Sequence, residues 1–380
     1  MEWAGICLLL TDVYVPAQTA GTNAAPPKFT GAMSCASTSC HGGGGERRNQ
    51  WLIWSYQDFH SQRPVATLAT ARAKQIANSL QISDPTTDSR CTACHAPLLA
   101  VPAAQRGAAF SAEEGVSCES CHGPAENWLR SHTRPDWTEA DRVEAGMRDL
   151  ENLYVRANTC VACHQTVSVP LLQAGHPELR FELDGQCAAE PRHWQEPAAW
   201  NRAQAWYVGQ AVALREMSWQ LAREPRSDNR LLARWRALVW LMQKLEGLSP
   251  ALSGLEKITP EASPENLLAT QQAADALART AATNAAWNDE LAQKTLTRLA
   301  GTAGDFAAGP DAGELPARRA ERLVLALDRL LLAQKPAPPA AATEQDLNQL
   351  FKLAQSVPDF HPADFAAALT RFDASLKSHR

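Results

Sequence analysis

The sequence predicts a mainly α protein in two unlike parts, a loop-rich core with few short helices followed by an antiparallel α-helical bundle. Three observations carry that prediction. Residues 30–195 are broken by Gly, Pro and Ser and hold few long periodic segments. Residues 197–380 are instead rich in Ala and Leu at helical spacing. The chemistry changes at the same seam, Glu196-Pro197: all ten cysteines and eight of the ten histidines precede it, and only His361 and His379 follow. A chain of 380 residues that is 45% hydrophobic is long enough for two domains.

From the N-terminus, residues 4–10 form a short apolar run, with Val15-Pro16-Ala17 or Ala20 as a cleavage point. Residues 1–20 are read as an export segment, although no Lys or Arg precedes the run. Cys7 leaves with it. No other stretch approaches about 18 apolar residues, so no transmembrane span is expected in the mature chain. Residues 63–82 read as one helix, ended by Ser83-Asp84-Pro85. Residues 138–155 read as another, with Thr138 as N-cap and Asp141 three residues on, delivering the chain to Cys160.

In the second part, Trp200, Ala203, Tyr207, Ala211, Leu214, Ser218 and Leu221 fall on one face of a first helix. Pro225 stops it and Asp228 caps the next, where Leu231, Trp235, Leu238, Met242 and Leu245 repeat the stripe. Ser263-Pro264-Glu265 opens a third helix with Pro at its first position. Residues 323–332 form a fourth. After a Pro/Ala linker at 336–341, Thr343 opens a fifth, and residues 363–376 form a sixth. The domains are thus 30–195, a helical domain at 197–335 and a C-terminal helical pair at 343–380. The tryptophans of the helical part read as core, and no fixed period supports a solenoid.

The core of the first part comes from its cysteines. Cys118-Glu-Ser-Cys121-His122 runs into Gly123-Pro124, and the same Cys-x-x-Cys-His pattern recurs with Cys91, Cys94 and His95 and with Cys160, Cys163 and His164. Two cysteines three apart can each form a thioether to one haem vinyl group, and the adjacent histidine reaches the iron. A fourth copy, Cys35-Ala-Ser-Thr-Ser-Cys40-His41, has two extra residues between its cysteines. Zinc or a thiol-redox pair would not need a histidine directly after the second cysteine three times, and a disulfide framework suits much smaller chains. Four covalent c-type haems follow, in a loop-rich multihaem cytochrome c core. About 40 residues per haem are too few for an ordinary side-chain core, so the macrocycles are the core. Cys187, the one cysteine left over, reads as a buried thiol.

His41, His95, His122 and His164 are the proximal ligands. Four further histidines, His60, His132, His176 and His193, match them in number within the same part. A haem with two imidazoles has no open position and transfers electrons; an open sixth position permits ligand binding or catalysis. His60 follows an aromatic segment, His176 sits in a rigid Ala174-Gly175-His176-Pro177 turn, and His132 and His193 each lie beside a tryptophan in sequence or close to one. His361 reads as a turn residue. Net charge is −5, which speaks against nucleic acid and anionic membranes and suits a redox partner with a positive patch.

On these residues the chain resembles the tetrahaem cytochrome c-554 family, relatives of the haem cores of hydroxylamine oxidoreductase and pentahaem nitrite reductase. Gly115-Val-Ser-Cys118-Glu-Ser-Cys121-His122-Gly-Pro124 is similar to the family's third haem motif, and Arg90-Cys91-Thr-Ala-Cys94-His95-Ala96 to its second. Trp54-x-x-x-Asp58-x-His60 is similar to its early distal-ligand segment, and Ala174-Gly-His176-Pro-x-Leu-x-Phe-Glu-Leu183 to one common in multihaem relatives. The resemblance covers residues 30–195 and leaves the helical part unexplained. It implies that His60 caps the haem of His122, His132 that of His164 and His176 that of His41. The second haem, at His95, is five-coordinate in the family's best-known member, and here His193 is available to fill that place.

The expectation is an exported, periplasmic tetrahaem cytochrome passing electrons between redox partner proteins through closely packed bis-His haems. Haem attachment takes place outside the cytoplasmic membrane in bacteria, hence export. Two alternatives stand beside it: an enzyme with an open haem at His95 acting on a small nitrogen or sulfur compound, and a subunit of a haem filament.

Overall fold

The computed structural model describes residues 25–61, 63–224, 228–283, 287–307, 314–334, 341–355 and 359–378. The export segment, Cys7, Pro225, most of the Pro/Ala linker and His379 lie outside the described residues. The fold is mainly α. The first part carries α1 (Gln50–Tyr56), α2 (Arg63–Leu68), α3 (Ala71–Ser79), α4 (Ser89–His95), α5 (Cys118–His122), α6 (Glu139–Glu144), α7 (Leu153–His164), α8 (Val169–Gln173) and α9 (Leu183–Ala189). The second carries α10 (Arg202–Arg223), α11 (Asn229–Gln243), α12 (Pro264–Thr283), α13 (Asp289–Ala300), α14 (Gly304–Ala307), α15 (Glu314–Ala333), α16 (Ala341–Ala354) and α17 (Pro362–Ser378). Among the described residues the β pairing is one isolated bridge, Phe29 with Arg106.

Two predicted helices are each broken in two. Residues 63–82 divide between α2 and α3 because Thr70 leaves the helix and accepts a hydrogen bond from the Ala73 amide as N-cap. Residues 138–155 divide between α6 and α7. The Thr138–Asp141 capping box forms as expected. Gly146 then takes a φ of 100°, which ends that turn, and Asn152 caps α7 by accepting from the amides of Tyr154 and Val155.

The helices of the second part begin close to where their caps were read. Asp228 caps α11 through the Arg230 amide, and Ser263 precedes α12, accepting from the Asn266 amide. α16 starts at Ala341, two residues before Thr343. Two features were missed. α13 has a stripe diluted by Ala and Thr, although Asn288 caps it through the Leu291 amide. α15 starts well before the predicted fourth helix because its first turns bury Arg318 and Arg322 rather than apolar residues.

α10 is buried on nearly every face and packs against α7, α9, α11, α12 and α15. One hydrophobic core runs from Leu153 to Phe372 and therefore crosses the seam at residue 196. Phe181 and Leu183, fully buried, belong to it. Ion pairs join the same two segments: Arg202 to Asp184 at 3.0 Å, Arg180 to Glu321 at 2.6 Å and Arg318 to Glu178 at 2.9 Å. Among the described residues no helix is long and apolar enough to cross a membrane.

Candidate haem-binding site

Each motif is presented by a short local structure. His41 follows a turn, with the Cys40 and His41 amides bonded to the carbonyls of Ser37 and Cys35. His95 and His122 end α4 and α5, and His164 ends α7. α5 is fixed from outside by Glu119, a buried carboxylate that accepts from the amides of Thr30, Gly31 and Ala125 at 2.8, 2.7 and 2.7 Å. Just before it, the Val116 amide donates to the His60 carbonyl at 2.9 Å, and the Trp54 indole donates to the Val116 carbonyl at 3.0 Å. Gly115 allows that approach. Its φ is 73°, and a Cβ there would lie 1.8 Å from the Ser61 carbonyl oxygen.

Five of the eight candidate ligands have the Nδ1 atom engaged by an acceptor. His41 meets Gln50 Oε1 at 3.0 Å, His60 meets Asp58 Oδ1 at 3.0 Å, and His95 meets the Pro64 carbonyl at 3.0 Å. His132 meets the Trp128 carbonyl at 3.0 Å and His176 the Pro177 carbonyl at 2.9 Å. An acceptor at Nδ1 places the proton there and leaves Nε2 with its lone pair, as a metal-ligating histidine requires.

The imidazoles then meet in pairs. His41 and His132 have ring centroids 6.1 Å apart, His60 and His164 5.9 Å, and His95 and His176 6.4 Å. Two imidazoles on opposite sides of one metal, each bonded at about 2 Å with its ring centre about 1 Å behind the nitrogen, stand about 6 Å apart. The residues present therefore fit bis-imidazole iron. Burial pushes the pKa of His95 and of His164 down, so both are neutral donors near pH 7.

The fourth set is different. Burial, and after it the charges of His193, His41, Arg148 and His132, push the pKa of His122 down to about 4. His193 offers a ring nitrogen within 4.8 Å of carboxylate oxygens of Asp58 and Glu190. Its Nδ1 is buried without a hydrogen-bond partner. Asp58 is buried beneath His60 and engages its Nδ1 at 3.0 Å, with Glu190 at 3.7 Å on the same nitrogen.

Among the described residues no cysteine of the four motifs forms a disulfide. These cysteines group by twos across motifs: Cys35 is hydrogen-bonded to Cys118, and Cys94 to Cys163. Each bond lowers the pKa of the donor-stabilised thiolate, Cys35 or Cys94, and raises that of its mate. Cys187 is buried as expected, with its pKa pushed up to about 11 by burial.

All eight histidines named from the sequence thus lie in one region, but matched otherwise than the resemblance implies. His60 stands by His164 rather than His122, His132 by His41 rather than His164, and His176 by His95 rather than His41. The charge of His193 adds to the lowering of the pKa of His122. Sequence reasoning missed the acceptors. Asp58 was visible in its Asp-x-His spacing with no role attached, whereas Glu190 and Gln50 carry no local signal.

Cysteine pairs each closed by a histidine, with ring separations suited to an iron between them, define a c-type cytochrome, a protein with covalently bound haem. Residues 34–123 match the family described as cytochrome c554 and c-prime, which supports a c-type cytochrome assignment for that segment. The match takes in the first three motifs; the fourth and the helical part lie beyond it. No curated protein and no solved structure matches the chain.

Proposed function

We propose that the chain is an exported tetrahaem cytochrome that passes electrons between redox partner proteins. Its first part, to about residue 195, is a loop-rich haem core, and the helical bundle after it braces that core. Cys35, Cys40, Cys91, Cys94, Cys118, Cys121, Cys160 and Cys163 would hold the four haems, and the irons would be held by His41 with His132, His95 with His176, His164 with His60, and His122 with His193. The observation that carries this reading is the set of three histidine pairs at 5.9–6.4 Å, each joining a motif histidine to a spare one. Bound haem supplies an iron that takes up and gives back one electron. The chain's part is to saturate that iron, fix five of the imidazoles through Nδ1 and exclude water. The contacts of Cys35 with Cys118 and of Cys94 with Cys163 favour attachment points close enough for electrons to pass between neighbouring centres.

A second reading rests on His193. Its nearness to Asp58 and Glu190 offers it a competing role, so any haem open for chemistry belongs at His122 rather than at His95, which His176 faces. One pair of measurements tests both. Intact mass of the mature protein should exceed the polypeptide by four haems, and the ferric EPR spectrum should contain only low-spin signals. An excess of three removes the first motif; a high-spin signal in the parent that His193→Ala does not enlarge moves the reading to an open centre at His122.

A further inference from the structure

Of the five engaged ligands, four give Nδ1 to a neutral acceptor: an amide oxygen for His41 and a backbone carbonyl for His95, His132 and His176. His60 alone among them gives it to a carboxylate, Asp58 Oδ1 at 3.0 Å, with Glu190 Oε1 at 3.7 Å on the same nitrogen. Asp58 is 3% exposed, and the His60 amide also donates to Asp58 Oδ1 at 2.8 Å. The carboxylate is therefore fixed in place and poorly screened by water.

We propose that Asp58, assisted by Glu190, is a positioning residue that makes the haem ligated by His60 and His164 the lowest in potential of the four. This rests on the reading that His60 is an axial ligand. A carboxylate at Nδ1 draws the imidazole toward imidazolate and strengthens its donation to iron. Stronger donation, with a buried negative charge close by, favours the ferric over the ferrous ion. The neutral acceptors of the other ligands do so less.

The test uses the haem-loaded full-length chain. In Asp58→Asn, redox titration should show one of four midpoint potentials, the lowest, rising by about tenfold in its one-electron equilibrium constant, about 59 mV. One low-spin EPR signal should shift while the rest hold. Glu190→Gln should give a smaller rise at the same centre. Gln50→Glu, which puts a carboxylate beside His41, should lower a different potential, and it keeps the proposal open to refutation if Asp58→Asn fails to load haem. His60→Ala separates the two layers: it should convert one haem to high-spin. If it does, and Asp58→Asn or Gln50→Glu moves no potential, the tuning role is wrong and the ligand reading stands. If it opens no haem, the ligand reading falls and the tuning role with it.

Discussion

Arg156 donates through one guanidinium nitrogen to both oxygens of Glu196, at 2.9 and 3.1 Å, and so ties the helix that ends in the fourth motif to the point where the sequence changes character. The Trp194 indole donates to the same carboxylate at 2.7 Å. Both partners of the ion pair are nearly buried, with side chains 10% and 11% exposed. Around it, Leu153, Val161, Phe181 and Leu183 enter the core of the helical part. A fragment of residues 197–380 should be helical, but a fragment of residues 150–380 should unfold with a higher midpoint in urea. Withholding those four side chains costs on the order of 5–10 kcal/mol by area. Equal midpoints would show that the helical part owes nothing to α7 and α9.

His132 is expected to serve the first haem, because its ring faces that of His41. In the full-length protein, His132→Ala should produce one high-spin haem. In a chain that already lacks the first attachment through Cys35→Ser and Cys40→Ser, adding His132→Ala should produce none. If the resemblance were right in pairing His132 with His164, the triple variant would gain a high-spin signal. Counting spins by EPR in the four combinations forms a closed cycle.

Glu119 occupies the second position of the third motif, and its three backbone donors are Thr30 and Gly31, from a distant segment, and Ala125, six residues on. Glu119→Ala leaves those amides in a buried place without an acceptor. Roughly 2–5 kcal/mol of stability should be lost, read as a lower denaturation midpoint of the haem-loaded protein. Glu119→Gln keeps one acceptor oxygen and should recover part of the loss.

Glu182 gives the chain a pH dependence of unusual sign. It lies between α9 and α15, accepting from Gln210 at 2.9 Å with Arg322 at 3.6 Å, and burial raises its pKa to about 7. Between an unfolded carboxyl pKa of about 4.3 and this value the folded state binds the extra proton, so stability falls as pH rises through that window. The contribution is on the order of 3 kcal/mol. In Glu182→Gln this slope should vanish from denaturation curves measured between pH 5 and pH 8, and the difference in stability between variant and parent should shift toward the variant as pH rises. A parallel pH dependence in both proteins would rule out the protonated carboxyl.

How much could be read in advance depended on whether a feature is local. The Cys-x-x-Cys-His spacing, the caps at Thr138, Asp228 and Ser263, and the apolar stripes of α10 and α11 are written within a few residues, and all were legible. Helix breaks at Thr70 and Gly146 were also local but lost to periodicity, which continues through them. The partners of the histidines were not legible at all. Which spare imidazole faces which motif depends on how loops of the first part cross, and nothing in the spacing of His60, His132, His176 and His193 encodes it. α15 was read short because buried Arg318 and Arg322 look like a solvated face until Glu178 and Glu182 arrive from another segment.

The acceptors at Nδ1 have one more consequence. For four of the five engaged histidines the acceptor lies nine, two, four or one residue away along the chain, and only His95 borrows a distant one, 31 residues off. Each of those four loops therefore carries its own aiming device. Such a loop is portable: moved to another scaffold, shortened at its ends or duplicated, it would still present an imidazole with the proper tautomer. A chain can then gain or trade iron-binding positions piecemeal, without redesigning the surroundings each time.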